Sequence, residues 1–267
     1  MKCNLNRDLD DILVIIPVRN EEATITNVIG NLQSYGLEQI RVVDNGSSDR
    51  SKAKVLACDV EVVTETIPGY GRACWRGLQD IPEQINWILF CDGDGSDDLS
   101  CLPLWFSLRN KHDFILGDRG ASKQGHSVMT PVQRFGNSLA TFLIDLGWGY
   151  SYRDLSPLRL IKRTALKKID MRDRGMGWTV EMQVRAVELS LNICELPTNY
   201  FPRQGGKSKI SGTISGSIRA GTIILSTLGK LYLQKIFSQQ SLFQVFLIMA
   251  LCLSAKTHNY YSLFTNR

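Results

Sequence analysis

The residues with the greatest chemical potential lie in Asn86-Trp-Ile-Leu-Phe-Cys-Asp-Gly-Asp-Gly-Ser-Asp-Asp98. Trp87 to Cys91 is a short apolar run of the kind a parallel sheet buries on both faces, and it stops at Asp92. In open α/β sheets ligands collect beyond the carboxyl ends of the strands, so Asp92 and Asp94, one residue apart around Gly93, would project into a crevice. Two carboxylates so close repel unless a cation lies between them. One or two carboxylates completed by a ligand's phosphates is the arrangement Mg2+ favours, and Mn2+ suits the same donors. A calcium loop needs Gly at its sixth position and Glu at its twelfth. Counted from Asp92 those positions hold Asp97 and Pro103, which excludes it. The competing reading is an acidic surface turn, since Asp and Gly are ordinary turn residues.

The elements that must position this pair repeat as strand, then helix. Ile12 to Pro17 reads as a strand, followed by a helix from Glu21 to Tyr35 with Asn20 as its cap. Ile40 to Val43 is a second strand ending at Asp44, and Ser48 or Asp49 can cap the next helix. Val60 to Val63 is a third strand; the turn Pro68-Gly-Tyr-Gly71 opens a helix through Leu78. With further strands at Trp87 to Cys91 and Phe114 to Leu116, right-handed crossovers and a parallel sheet follow. Such a sheet carries Arg19 and Glu21, Asp44 and Asp49, and Asp92 and Asp94 to one edge.

Neither glycine-rich stretch is a nucleotide loop of another class. The third glycine of a dinucleotide fingerprint would fall at Cys74, and the first glycine of a phosphate loop ending at Lys207-Ser208 would fall at Phe201.

Downstream, Gly117-Asp-Arg119 closes a strand, and a helix from Pro131 to Gly147 carries Arg134 and Asn137. Asp154 to Arg159 is a strand or turn. Thr179 can cap a helix with Glu181 in its first turn, where an acid serves the helix dipole as readily as catalysis. Ile193 to Pro197 is another strand, Tyr200 to Lys209 a basic loop, and Ile218 to Leu233 a long helix. Leu242 to Ala255 is apolar over 14 residues. That is short of the roughly 20 needed to span a bilayer, so it suits an interfacial or packed helix better than a transmembrane one.

At 267 residues, 43% hydrophobic and 21% charged, the chain can bury a sizeable core. Seven cysteines are scattered without a C-x-x-C pair, which fits reduced thiols in a cytosol. Met1 to Asp11 is polar with three Asp and does not read as a signal peptide. The net charge of +5 is unevenly spread: from Leu196 to Arg267 there are eight Lys or Arg and no acid. Such a tail suits an anionic partner. Few aromatics interleave with its cations, which disfavours nucleic acid and leaves a phosphate ligand or an anionic membrane surface.

Val14-Ile-Ile-Pro-Val-Arg-Asn-Glu-Glu22, Val42-Val-Asp-Asn-Gly-Ser-Ser-Asp49, Gly69-Tyr-Gly-Arg-Ala73 and Cys91-Asp-Gly-Asp94 together resemble the GT-A glycosyltransferases of family 2. The resemblance covers about Asp11 to Lys235. It implies an α/β GT-A catalytic domain over residues 1–235 with an apolar and basic tail over 236–267. Gly117 to Arg119, Asp154 to Arg159, Gly177 to Glu181 and Arg203 to Lys209 resemble the branch with dolichol-phosphate mannosyltransferase and bacterial polyprenyl-phosphate glycosyltransferases.

By that resemblance Pro17, Arg19, Glu21, Asp44 and Asp49 bind the base and ribose of a nucleotide sugar, with Gly71 and Arg72 beside them. Asp92 and Asp94 hold Mg2+ or Mn2+ on the diphosphate. Arg119 and Arg134 bind the acceptor phosphate, and Arg203, Lys207 and Lys209 belong to the loop that closes over the diphosphates. Ser96 departs from the Gln or Gln-His that often follows the D-x-D, which bears on the sugar more than on the reaction.

The implied reaction is inverting, metal-dependent hexosyl transfer from a UDP- or GDP-sugar to a polyprenyl phosphate, peripheral on the cytoplasmic face of a membrane, in envelope glycan synthesis. A phosphate acceptor needs no general base, whereas a hydroxyl acceptor would need one and Glu181 is the candidate. The remaining alternatives are a soluble transferase to a hydroxyl and a catalytically silent protein binding nucleotide sugar or membrane.

Overall fold

Strand β1 (Ile12–Val18) presents apolar side chains on both faces, and helices cover each face. On one side Ile12, Val14, Ile16 and Val18 join a buried cluster with Ile25, Val28, Ile29 and Leu32 of α1 (Ile25–Ser34). On the other side α3 (Tyr70–Gly77) approaches Ile15 and Val43 through Gly77. The two-residue period of the strand thus meets the 3.6-residue period of the helices, and each fully buried Ile or Leu contributes roughly 1.5–3 kcal/mol.

The computed structural model describes residues 9–205 and 219–238. Its sheet adds β2 (Ile40–Asp44), β3 (Glu61–Thr64), β4 (Trp87–Phe90), β5 (Phe114–Asp118), β6 (Arg159–Lys162) and β7 (Ile193–Pro197) to β1, in the order β3-β2-β1-β4-β6-β5-β7. Helices α2 (Ser51–Leu56), α4 (Leu102–Leu108), α5 (Lys123–Val128), α6 (Pro131–Trp148), α7 (Arg163–Ile169) and α8 (Trp178–Glu188), together with α1 and α3, connect these strands. β1, β2, β3 and β4 run parallel, as do β5 and β7. β6 runs antiparallel to both β4 and β5. Val18 stands in register with Asp44 and Ile15 with Phe90, so the loops after β1, β2 and β4 leave the sheet at one edge, as expected from the sequence.

Three caps differ from expectation. Helix α1 begins at Ile25 with Thr24 at its N-cap, because Asn20 takes a left-handed conformation (φ 56°) and its Oδ1 accepts from Ser48 N at 2.7 Å. At α2 the N-cap is Arg50, and Asp49 instead binds Ser51 N at 2.9 Å. At α8 the cap is Gly177; Thr179 lies inside the helix, where its carbonyl accepts from Arg159 Nη1 at 2.8 Å. In contrast α6 is closed by a full capping box, Thr130 with Gln133, and ends at Gly149 in the left-handed region.

Cys58, Cys74, Cys91, Cys101 and Cys194 carry free thiols. The chain divides into two compact units, Met1–Leu228 and Gly229–Arg267. Residues 219–228 of the first and 229–238 of the second are helical. Among the described residues no helix is long and apolar enough to cross a membrane, and Leu242 to Ala255 lies outside them.

Candidate active site

The loops after β1 and β2 are stitched together by short polar contacts. Asn20 N donates to Ser47 Oγ at 3.0 Å, Glu21 N to Ser51 Oγ at 2.7 Å and Glu22 N to Asp49 Oδ2 at 3.2 Å. Asp44 is buried, with Oδ1 accepting from Ser47 N at 3.2 Å. Pro17 is half-buried at the end of β1 and Arg19 is exposed. Glu21, Asp44 and Asp49 therefore line one sheet edge, as their spacing predicted.

The acidic turn begins where β4 ends. Thr24 Oγ1 donates to the carbonyl of Gly93 at 2.8 Å and ties the turn to the start of α1. Gly95 sits at φ 74°, a conformation that disfavours a side chain and lets the chain double back. Asp94 Oδ1 accepts from Ser96 N at 2.9 Å, and Asp97 Oδ2 accepts from Asp92 N at 2.9 Å. Ser96, the departure from the family pattern, thus orients Asp94. A cavity of about 240 Å³ opens between α1 and this turn, bordered by Val28, Tyr35, Asp92, Asp97, Phe201 and Gln204.

Asp97 was not singled out from the sequence, where it is one of four acids in seven residues. In the fold, burial pushes its carboxyl up to about 7, with the Asp94 charge adding to the rise and the Asp92 N–H and Arg119 opposing it. Burial, then Asp97 and Asp94, likewise push Asp92 well above the ordinary carboxylate range against the pull of Arg119 and Arg203. This crowding of negative charge is what a hard divalent cation would relieve, so the donors fit Mg2+ or Mn2+. Among the described residues no three His, Cys, Asp or Glu side chains converge as a self-contained metal cage. Asp92 and Asp94 would hold an ion only together with ligand oxygens.

Arg203 reaches the turn from the loop after β7. Its Nη2 lies 2.9 Å from Asp94 Oδ2, and its Nη1 lies 2.9 and 3.0 Å from the two oxygens of Glu21. The loop itself is docked by Phe201 N on the carbonyl of Ser96 at 2.9 Å and by a bridge between Asp97 and Tyr200. Lys207 and Lys209 lie outside the described residues.

Arg119, at the end of β5, is held by Asp154. Its Nε and backbone N reach Oδ2 at 2.7 and 3.0 Å, and Nη2 reaches Oδ1 at 2.9 Å. Its guanidinium stacks over Tyr200, 5.0 Å from the ring centre. Asp154 is fully buried; its motif was legible but its pairing was not, because the two residues lie on separate segments. Arg134 stands on a different element, in the first turn of α6, with Nη1 3.2 Å from His126 Nδ1.

Gly71 and Arg72 pack against the segment before α8. Their N–H groups donate to Gly175 O and Arg174 O at 3.0 and 2.9 Å, and a Cβ on Gly71 would fall 2.8 Å from Gly175 O. Close backbone approach is therefore reason enough for this glycine. Glu181 is buried in the first turn of α8, and its Oε2 accepts from Arg172 N at 3.0 Å and Asp173 N at 2.7 Å.

A sequence profile described as "Glycosyl transferase family 2" matches residues 13–170, from β1 through α7. An uncharacterised glycosyltransferase of Mycobacterium tuberculosis is 32% identical over 212 residues, 79% of this chain and 94% of the relative. Undecaprenyl-phosphate mannosyltransferase of Micrococcus luteus is 28% identical over 218 residues, 77% of this chain and 89% of the relative. Among solved structures, glucosyl-3-phosphoglycerate synthase of M. tuberculosis, in complex with Mn2+, UDP-glucose and phosphoglyceric acid, superposes with a TM-score of 0.64 at 18% identity. That match covers 82% of this chain and 78% of the neighbour, and it carries the GT-A fold. These likenesses set aside a catalytically silent binding protein: the chain is a glycosyltransferase and belongs to glycosyltransferase family 2.

Proposed function

We propose that this enzyme transfers a hexose, with inversion, from a UDP- or GDP-sugar to a polyprenyl phosphate at the cytoplasmic face of a membrane. The observation that carries the reading is the meeting of two opposed charge sets, Asp92 and Asp94 on one turn with Arg203 bonded to it and Arg119 stacked on Tyr200, which bridges to Asp97 of the same turn. A diphosphate leaving group and a phosphate acceptor need such neighbouring cationic sites. The name of the Micrococcus relative supports a lipid phosphate as acceptor.

In this reading Glu21, Asp44 and Asp49, with Pro17 and Arg19, bind the nucleoside, and Gly71 and Arg72 border it. Asp92 and Asp94 hold Mg2+ or Mn2+, which supplies Lewis-acid stabilisation of the departing diphosphate. Arg203, with Lys207 and Lys209 on the same loop, adds fixed positive charge there. Arg119 and Arg134 receive the acceptor phosphate. Such an acceptor is already anionic at neutral pH, so no side chain has to remove a proton. The bonding of Glu181 to two backbone N–H groups supports a positioning role for it over a general base. Residues 1–235 form the catalytic part and 236–267 a membrane-associating tail.

A second reading, with a small phosphorylated acid as acceptor, is favoured by the neighbour that holds phosphoglyceric acid. The test presents a panel of UDP- and GDP-sugars with short-chain polyprenyl phosphate, 3-phosphoglycerate or a polyprenyl alcohol, each with and without Mn2+. Mn2+-dependent transfer to the polyprenyl phosphate is expected. Transfer confined to phosphoglycerate or to the alcohol would overturn the proposal.

A further inference from the structure

Helix α6 is apolar on two opposite faces. Ala140, Thr141 and Ile144 are buried, and the helix packs against α8. On the other side Val132, Phe135, Phe142 and Leu146 are 42, 70, 61 and 70% exposed, with half-buried Leu139 completing the row. Steps of three and four residues keep these side chains on one line along the helix. At about 100° per residue that line lies roughly 180° from the buried face. A helix at the surface of a globular domain ordinarily turns polar residues outward, and single exposed apolar residues need no explanation. A continuous row that includes two phenylalanines does.

The size and charge of this face select its partner. An 18-residue helix is about 27 Å long and its apolar strip about 10 Å wide, a few hundred Å² in all. A stable dimer buries about 800 Å² per partner, so one such strip is too small to hold two copies together. A strip of that shape is what an interfacial helix immerses between lipid headgroups. The cations that stand by this face are Arg134 in the first turn of α6 and Arg153, 68% exposed, just beyond its end, against Asp145 as the one acid on the helix; Arg119 is neutralised by Asp154 and adds nothing to them. That excess complements an anionic leaflet.

We propose that α6 is a docking surface on an anionic bilayer additional to the tail, lying in the headgroup plane with Val132, Phe135, Leu139, Phe142 and Leu146 immersed. The choice of partner rests on the lipid-phosphate reading above. Arg134, in the first turn of the same helix, then stands at headgroup level, where an acceptor phosphate anchored by its hydrocarbon chain presents itself.

The experiment uses the full-length chain with vesicles of phosphatidylcholine and phosphatidylglycerol. Hydroxyl-radical footprinting is read on tryptic peptide 135–153, which contains Phe142 and Leu146, and on peptide 77–109, which contains the exposed Leu104 of α4. Vesicles are expected to protect the first peptide and leave the second unchanged. A Phe135→Ser/Phe142→Ser/Leu146→Ser variant is expected to float with vesicles about threefold less than the parent, the tail retaining the remainder. Footprinting of the parent decides the matter even if that variant folds poorly. Absence of vesicle-dependent protection overturns the proposal, as does protection that appears without vesicles and grows with protein concentration, the mark of self-association. Transfer to short-chain polyprenyl phosphate without vesicles is measured alongside; its failure counts against the lipid-phosphate reaction, while the footprint alone judges α6.

Discussion

Arg203 Nη2 lies 2.9 Å from Asp94 Oδ2, and Nη1 of the same guanidinium holds both carboxylate oxygens of Glu21. A cation from the loop after β7 thus joins the acidic turn after β4 to the loop after β1. The carboxylates are nearly buried, at 8 and 10% side-chain exposure, while the guanidinium keeps 25%. Removing the cation leaves two adjacent anions without their shared partner.

Arg203→Ala is therefore expected to lower stability and rate together. Breaking a fully buried ion pair costs about 3–5 kcal/mol; the remaining exposure of Arg203 reduces this to about 2–3 kcal/mol. Loss of a charge-stabilising donor at the leaving group should lower kcat by about 100-fold. Arg203→Lys should recover part of the stability and less of the rate, because an ammonium cannot grip two carboxylates in one plane. Urea unfolding and single-turnover transfer check the two effects separately. An unchanged kcat would remove Arg203 from the chemistry.

Chelation gives a second outcome. The enzyme is expected to lose affinity for its nucleoside diphosphate, UDP or GDP, in EDTA and regain it with Mn2+, and Asp94→Asn should weaken that Mn2+-dependent binding by at least about tenfold. Isothermal titration with UDP and with GDP reads this without turnover on whichever of the two binds. If binding were equally tight with and without Mn2+, the acidic turn would not be the diphosphate site.

Asp97 predicts a pH dependence of stability in the ligand-free enzyme. Burial raises its carboxyl from an ordinary 3.8 to about 7 in the fold. The folded chain therefore binds this proton more tightly than the unfolded chain. The contribution to stability is full below the unfolded value and is lost as pH rises through about 7. Glu195, raised by burial to about 6, acts in the same direction, so the informative quantity is a difference. The melting temperature of Asp97→Asn minus that of the parent should increase between about pH 5 and about pH 8. A flat difference would mean that Asp97 titrates as an exposed carboxyl does.

The placement of much of this candidate site is legible in the sequence because its parts sit at strand ends. The apolar run Trp87 to Cys91 announces a buried strand, and an abrupt acid after it announces a sheet edge. The reversed direction of β6 was not readable. Arg159–Lys162 is a four-residue strand, too short for a period, and its direction depends on where the chain re-enters the sheet. Asn20 and Thr179 have cap chemistry, but Asn20 was claimed by a contact to Ser48 and Thr179 fell inside α8. Asp97 looked like its acidic neighbours; what sets it apart is its place in the turn, where Oδ2 accepts from Asp92 N and the residue bridges to Tyr200.

Glu181 supplies the last expected outcome, since it separates the two acceptor chemistries. Its Oε2 accepts two backbone N–H groups from the segment that also receives Gly71 and Arg72, so the carboxylate braces the wall behind α3. Glu181→Gln keeps an accepting oxygen and should cost about 1 kcal/mol, whereas Glu181→Ala orphans two N–H groups and should cost about 2–3 kcal/mol. With a phosphate acceptor the Gln variant should retain kcat within about threefold, because no proton has to be taken. With a hydroxyl acceptor loss of a general base lowers kcat by about 100-fold or more. Measuring kcat on both acceptors beside an unfolding curve distinguishes a brace from a base. A 100-fold loss on polyprenyl phosphate, with the fold intact, would make Glu181 part of the chemistry after all.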